Sequence, residues 1–205
     1  MFRDRKDAGQ KLARALEKYK DREALVLAIP RGGAEVGYQV AKYLNADFSL
    51  LVSRKLPYPN NPEAGFGAIA EDGSTFIYRD AARWLSPQAI DAIIERQKQE
   101  TERRVAVLRK GRPLPEIAGR TVILVDDGMA MGSTMRVSIM LCQNRGADRI
   151  VVAVPVSGES VAAEIEEMVD EIVVLEQPRF FRAVAQVYEN WHDVSDREVI
   201  RIMER

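Results

Sequence analysis

The chain has one cysteine and one histidine in 205 residues, and those two shortages close several routes at once. Cys142 alone cannot form an intrachain disulfide, and Cys142 with His192 cannot supply the four thiolate or imidazole ligands of a structural zinc site. A Ser-His-Asp hydrolase would have only His192 to use. No run approaches the ~18–20 apolar residues that a membrane span needs. The opening MFRDRKDAGQ is charged where a signal peptide needs an apolar stretch, so a cytoplasmic protein with no membrane partner is expected. Excess charge is missing too. Thirty basic against 31 acidic side chains leave a formal charge of −1, which removes the broad positive field of a general nucleic-acid binder. Any polyanion must then be held by a local site.

What is present is ordinary globular material, 46% apolar and 30% charged, in a length that suits one core. A first helix is signalled by Leu12 and Leu16, four apart among charged residues. Apolar runs at Ala24–Ile29, Phe48–Val52, Val122–Val125, Ile150–Val154 and Ile172–Leu175 show no polar alternation, as strands buried on both faces do. Between them lie helical patterns at 34–44, 133–145 and 159–169, and Ser86-Pro87 opens a long helix towards Lys110. The expectation is an α/β chain: a single doubly wound domain over 1–205 with a central parallel sheet of about five strands, its core at 24–176. Residues 54–77, with Pro57, Pro59 and Pro62 followed by Gly65, Gly67 and Gly73, are expected as a long flexible flap after the second strand. Thr75–Tyr78 are expected to form half a hairpin at its end. Residues 1–20 and 177–205 are candidates for a small hood, with Ser195-Asp196-Arg197-Glu198 as a capping box before a last helix.

In such a fold ligands bind beyond the C-terminal strand ends, which directs attention to the loops after Ile29, Val52 and Val125. After Val125 come Asp126, Asp127, Gly128, Met129, Ala130, Met131, Gly132, Ser133 and Thr134. An apolar strand delivers two carboxylates to its edge, then a small-residue turn opens a helix whose first amides have no internal partners and seat an anion. Adjacent acids beside a phosphate seat make sense if they face sugar hydroxyls or a hydrated divalent cation. Gly128 and Gly132 enclose three residues and no Lys follows, so this is not a Walker A loop. An acid-ended strand in an unrelated α/β protein is the plain alternative. After Ile29, Pro30-Arg31-Gly32-Gly33 offers a close backbone approach and a guanidinium fork, or simply a turn with a solvated Arg. Arg54 and Lys55 open the long loop, either as lid residues or as incidental charges, and Glu63 with 65–69 could shape a closed lid.

The stretch from Val122 to Thr134 resembles the type I phosphoribosyltransferase family, in which a strand, two acids, a short loop and Gly-x-Thr bind phosphoribosyl pyrophosphate. The resemblance implies that Asp126 and Asp127 contact the ribose hydroxyls and assist Mg2+, directly or through water. It implies that Ala130, Met131, Gly132, Ser133 and Thr134 hold the 5′-phosphate. Arg31, Gly32 and Gly33 match the family's pyrophosphate loop, with a cis peptide just before Arg31, and Arg54 and Lys55 match a catalytic flap that excludes water. The implied activity is transfer of the phosphoribosyl group to an unidentified nitrogen acceptor, and many relatives form dimers, which makes a homodimer an expectation. Met131 stands where many members have Thr, so one phosphate-binding hydroxyl is absent. Ala130 stands where hypoxanthine-guanine enzymes have an Asp, which points away from that substrate class.

In the tail, Phe180, Phe181, Tyr188 and Trp191 either stack on a planar acceptor or pack a core, the latter favoured by their near-helical spacing. His192 is given no catalytic part, and Cys142 is expected to be a buried small apolar side chain. Two rival functions remain open at this level. One is a non-catalytic regulator that binds phosphoribosyl pyrophosphate or a nucleotide in the same pocket. The other is a hydrolase or phosphotransferase with Asp126 or Asp127 as nucleophile.

Overall fold

The computed structural model describes residues 1–205, the side chain of Glu63 excepted, so the lid role considered for Glu63 lies outside the described residues. Strands β1 (Leu25–Ala28), β2 (Asp47–Leu50), β6 (Thr121–Val125), β7 (Arg149–Val156) and β8 (Glu171–Glu176) form one parallel sheet in the order β2-β1-β6-β7-β8. Helices α1 (Arg5–Ala15), α2 (Gly33–Leu44), α5 (Ser133–Asn144) and α6 (Glu159–Glu166) cover its two faces. Strand alternation decides which residue meets which layer. Val26, Ile123, Val125, Val151 and Ala153 pack against Leu12 of α1, Leu16 just past its end, and Val36 and Val40 of α2. Leu25, Leu27, Leu124, Val152 and Val154 pack on the opposite side against Met135, Ile139 and Ile165 of α5 and α6. The chain is therefore doubly wound, as its uninterrupted apolar runs require.

Winding reverses between β1 and β6, which are neighbours in register with Ala28 opposite Val125. Loops leaving two adjacent strands in opposite directions open a crevice between them, and this is where α/β sheets take ligands.

The expected long loop is instead a second sheet. Strands β3 (Ser53–Tyr58), β4 (Asn61–Ala70) and β5 (Thr75–Ile77) pair antiparallel in that order. Proline and glycine hid the strands from sequence reasoning, yet each has a place. Pairing slips at Pro57, which has no N–H to donate. A Cβ on Gly67 would lie 2.1 Å from the Phe76 carbonyl oxygen, so only glycine lets the strands close. Leu56, Phe66 and Ile69 bury one face of this sheet against α3 (Arg79–Ala82) and Ile90, Ile93 and Ile94 of α4 (Pro87–Leu108). Ser86 caps α4, accepting from the Ala89 N–H at 3.2 Å, with Pro87 in the first turn as expected. At the far end of α4, buried Arg109 pairs with Glu71 and donates to the Leu50 carbonyl at 3.0 Å, tying the flap's base to the main sheet.

The hood is smaller than 1–20 plus 177–205. Leu12, Ala13, Leu16 and Tyr19 belong to the sheet's helical layer. Val199 and Ile202 of α7 (Asp196–Met203) pack beside Ala34, Leu50 and Leu108. What remains over the strand ends is Phe2, Arg5 and the segment 184–191. These are joined by Phe2 N–H to Val187 O at 2.7 Å and by stacking of Phe2 on Tyr188 with centroids 5.6 Å apart.

Candidate active site

β6 ends at Val125 and places Asp126 and Asp127 at the switch point. The Asp127 N–H donates to Asp126 Oδ1 at 2.8 Å. Burial first, and the neighbouring Asp127 carboxylate second, push the Asp126 carboxyl well above the ordinary carboxylate range. Asp127 is held from the hood: Arg5 Nε donates to its Oδ2 at 2.8 Å, and the Tyr188 hydroxyl donates to its carbonyl at 2.7 Å. From below, a Cβ built on Gly32 would lie 1.8 Å from Asp127 Oδ2. A Cβ on Gly33 would meet the Val125 carbonyl oxygen at 2.9 Å and Asp126 Oδ1 at 3.0 Å, a looser fit, and the Gly33 N–H donates to the Ile29 carbonyl at 3.1 Å. The paired glycines thus serve close approach of the two acids to the loop after β1. The Gly33 amide is thereby taken, while the amides of Arg31 and Gly32 meet no acceptor among the described residues. The peptide bond between Pro30 and Arg31 is cis.

After the acids, Met129 N–H bonds to the Val156 carbonyl at 2.9 Å and carries the chain across the end of β7. The turn at Ala130–Gly132 then enters α5. Gly132 takes φ +73°, a left-handed conformation that a Cβ would penalise. Among the described residues, no partner takes up the amides of Ser133, Thr134 and Met135 or the hydroxyls of Ser133 and Thr134. Unpaired amides at the positive end of a 12-residue helix make a seat for an anion. The Met131 side chain is half exposed and its carbonyl accepts from the Tyr78 hydroxyl at 2.6 Å, so the end of β5 touches this turn.

Arg54 and Lys55 fall on opposite faces of β3. Lys55 pairs across to Ala68, whose side chain joins the main core, and Arg54 pairs across to Ile69, which faces α4. Arg54 Nε donates to Gln97 Oε1 of α4 at 3.1 Å. Burial, then the charge of Arg104, lower the Arg54 guanidinium; burial, then Arg31, lower Arg104. Arg31, Arg54, Arg103 and Arg104 thus share one region, answered by two acids. Glu100 meets Arg103 at 2.8 Å and Arg104 at 3.4 Å, and its carboxyl is depressed to about 2, chiefly by Arg103. Asp196 stands 3.7 Å from Arg31 and 3.6 Å from Arg103. A cleft of about 450 Å³ between β3 and α4 is lined by Arg54, Arg96, Gln97 and Arg104. With Arg96 beside them, these guanidiniums outnumber Glu100 and Asp196 and leave a positive excess that a multiply charged anion would satisfy.

Sequence reasoning missed Arg104, Arg103 and Arg5. A signal for the first two was available: Gln97 and Thr101 break the apolar stripe of α4, yet both are buried, because that side of the helix meets a polar cleft. Arg5 had none, being 122 residues from its carboxylate. The aromatic tail is mostly packing. Tyr188 is buried, Trp191 lies 5.2 Å from it and under the Arg5 guanidinium, and Phe180 projects into solvent. His192 Nε2 lies 2.9 Å from Glu198 Oε1, outside the acid pair. Cys142 is buried and its thiol is pushed up to about 12 by burial. A groove of about 1050 Å³ between α1 and α2 contains none of these site residues.

The sequence pattern described as "Phosphoribosyl transferase domain" matches residues 3–190. The chain belongs to this family. Two Mycobacterium tuberculosis proteins, from strains H37Rv and CDC 1551 / Oshkosh, carry the name "Putative phosphoribosyl transferase" and are 40% identical over 207 residues. The match takes in all of this chain and 47% of theirs, so the chain spans about half the length of these relatives. Among solved structures, TT1426 from Thermus thermophilus is 34% identical with a TM-score of 0.82, over 99% of this chain and 97% of that one. A hypoxanthine-guanine phosphoribosyltransferase from Bacillus anthracis, 14% identical with a TM-score of 0.51 over 91% of this chain and 88% of its own, shares the fold. Among the described residues no helix is long and apolar enough to cross a membrane.

Proposed function

We propose that this chain transfers a phosphoribosyl group from phosphoribosyl pyrophosphate to a nitrogen acceptor of the nucleobase class in a Mg2+-dependent reaction. The C1–N bond forms as the C1–O bond to pyrophosphate breaks, and the acceptor nitrogen gives its proton to solvent. The observation that carries this reading is the convergence at one switch point of an acid-ended strand, an unpaired helix terminus and a guanidinium cluster. Those three parts suit a sugar with phosphoryl groups at both ends. The amides and hydroxyls at 130–134 hold the 5′-phosphate, Asp126 and Asp127 accept from the ribose hydroxyls, and Arg31, Arg54 and Arg104 draw charge off the departing diphosphate. Lys55, on the other face of β3, closes the site from the flap.

Among the described residues no three His, Cys, Asp or Glu side chains converge as a metal site. Asp126 and Asp127 fit Mg2+ only in the way that ion is often held, by one or two carboxylates together with substrate phosphates. When bound, the ion supplies charge neutralisation at the diphosphate. The carboxylates are poor nucleophiles as they stand, one buried with a raised pKa and the other ion-paired, which disfavours an aspartyl-phosphate mechanism.

The test is pyrophosphate release from phosphoribosyl pyrophosphate across a panel of nucleobases, with Asp127→Asn as the comparison. Release with at least one acceptor and a loss of ~10²-fold in the variant are expected. Equal turnover in the variant removes these roles, and saturable donor binding without product from any acceptor replaces the transferase with a regulator.

A further inference from the structure

Asp127 is gripped on three sides by groups that are themselves fixed. Its carboxylate meets Arg5, with side chains only 13% and 8% exposed, and its carbonyl meets Tyr188. The space where any other residue at position 32 would put a Cβ is filled by its Oδ2. Arg5 is fixed in turn. Its Nη1 donates to the His192 carbonyl at 2.8 Å, and its guanidinium carbon lies 3.8 Å from the Trp191 ring centroid. Trp191 rests on Tyr188, so the hood closes a ring of contacts around the acid.

The form of the ion pair is informative. An arginine serving only to fasten the hood gains most from a two-pronged grip on both carboxylate oxygens. Here Arg5 spends one N–H on Oδ2 and another on a backbone carbonyl, and no amide, guanidinium or hydroxyl group among the described residues donates to Oδ1, the Asp126 carboxyl being the neighbouring acid on the Asp127 side chain. One oxygen is anchored and the other is offered. A vicinal diol donates O–H groups along defined directions, and an acceptor already held in its rotamer loses no freedom on meeting it.

We infer that Arg5 is a positioning residue: by anchoring Oδ2 it presents Asp127 Oδ1 to a ribose hydroxyl, which makes the N-terminal hood segment part of sugar recognition. This rests on the phosphoribosyl-transfer reading above. It predicts a loss confined to ligands that carry the sugar.

The experiment measures binding by calorimetry, with Mg2+ in the buffer, of phosphoribosyl pyrophosphate and of inorganic pyrophosphate. The proteins are the unmutated chain, Arg5→Met, Asp127→Asn and the double variant. Arg5→Met should weaken phosphoribosyl pyrophosphate about tenfold and leave pyrophosphate within about twofold, and the double variant should be no weaker than Asp127→Asn, since coupled residues are not additive. Arg5→Lys keeps the charge but not both contacts, and should show the same ligand-selective loss at smaller size if Arg5→Met proves too unstable to assay. Undiminished sugar-ligand binding in Arg5→Met, equal weakening of both ligands, or full additivity would overturn the inference. Failure of the unmutated chain to bind phosphoribosyl pyrophosphate would overturn the functional reading with it, whereas normal binding by that chain and by Arg5→Met would sink only the role of Arg5.

Discussion

Gly32→Ala tests the geometry of the acid pair without any substrate. Gly32 has φ −60° and ψ −38°, ordinary helical values. By backbone considerations alone an alanine there should stabilise the protein by ~0.4–1 kcal/mol, because it reduces the freedom of the unfolded chain. The contacts say otherwise. The new Cβ would lie 1.8 Å from Asp127 Oδ2 and 2.5 Å from its Cγ, distances no rotamer adjustment of a few tenths of an ångström relieves. Asp127 must swing away, and that breaks its pair with Arg5, whose side chain is 8% exposed. Separating a buried pair costs about 3–5 kcal/mol when one charge is stranded. Arg5 keeps its stack on Trp191 and its bond to the His192 carbonyl, so we expect about 2–3 kcal/mol, at or under the lower end of that range. For a domain of this size that lowers Tm by roughly 4–12 °C. The assay is thermal unfolding of four proteins: the unmutated chain, Gly32→Ala, Asp127→Ala and the double variant. In the Asp127→Ala background the obstruction is gone, so adding Gly32→Ala should cost nothing or stabilise slightly. An unchanged Tm in Gly32→Ala, or the same drop in both backgrounds, would refute the packing argument.

Further outcomes follow from the cleft and from α7. Arg104→Gln should weaken inorganic pyrophosphate binding at least tenfold by calorimetry, with little change in Tm, because the lost attraction to Glu100 is offset by relief of repulsion from Arg54 and Arg31. Ser195→Ala should cost about 0.5–1 kcal/mol at pH 7 in chemical denaturation, the exposed end of the usual range for a cap. Glu198 is held down to about 2 by the Ser195 backbone N–H first, then by the Ser195 hydroxyl and His192. A carboxylate with a depressed folded pKa contributes above its unfolded value near 4.5 and loses that contribution as pH falls towards about 2. The stability gap between Ser195→Ala and the unmutated chain should therefore narrow across that acid window. A gap independent of pH would show that the box carries no charge-assisted component.

Much of the molecule was legible in one dimension. The runs at Leu25–Ala28, Thr121–Val125 and Arg149–Val156 are strands buried on both faces, and an apolar stretch too short for a helix between turn residues can hardly be anything else. Ser86-Pro87 and Ser195–Glu198 announce helix starts through side-chain to amide bonds made within three residues. Asp126 and Asp127 were placed at a strand end, and the turn before Ser133 at a helix start, for the same reason: the signals are contiguous. The flap was the clearest miss. Its prolines and glycines have the composition of a loop, and only pairing with β4 and β5, together with burial of Leu56, Phe66 and Ile69 against α4, makes strands of them.

By itself, then, the sequence determined the alternation of strands and helices, their caps, and the presence of paired acids and a helix start beyond one strand. Tertiary structure decided what those groups meet. It set Gly32 beneath Asp127, Arg5 beside it from 122 positions away, and Arg104 of α4 against Arg54 of β3. The division follows from how the information is carried: periodicity and capping are written in residues a few places apart, whereas a long-range contact exists only once the sheet order has brought two distant loops to the same edge.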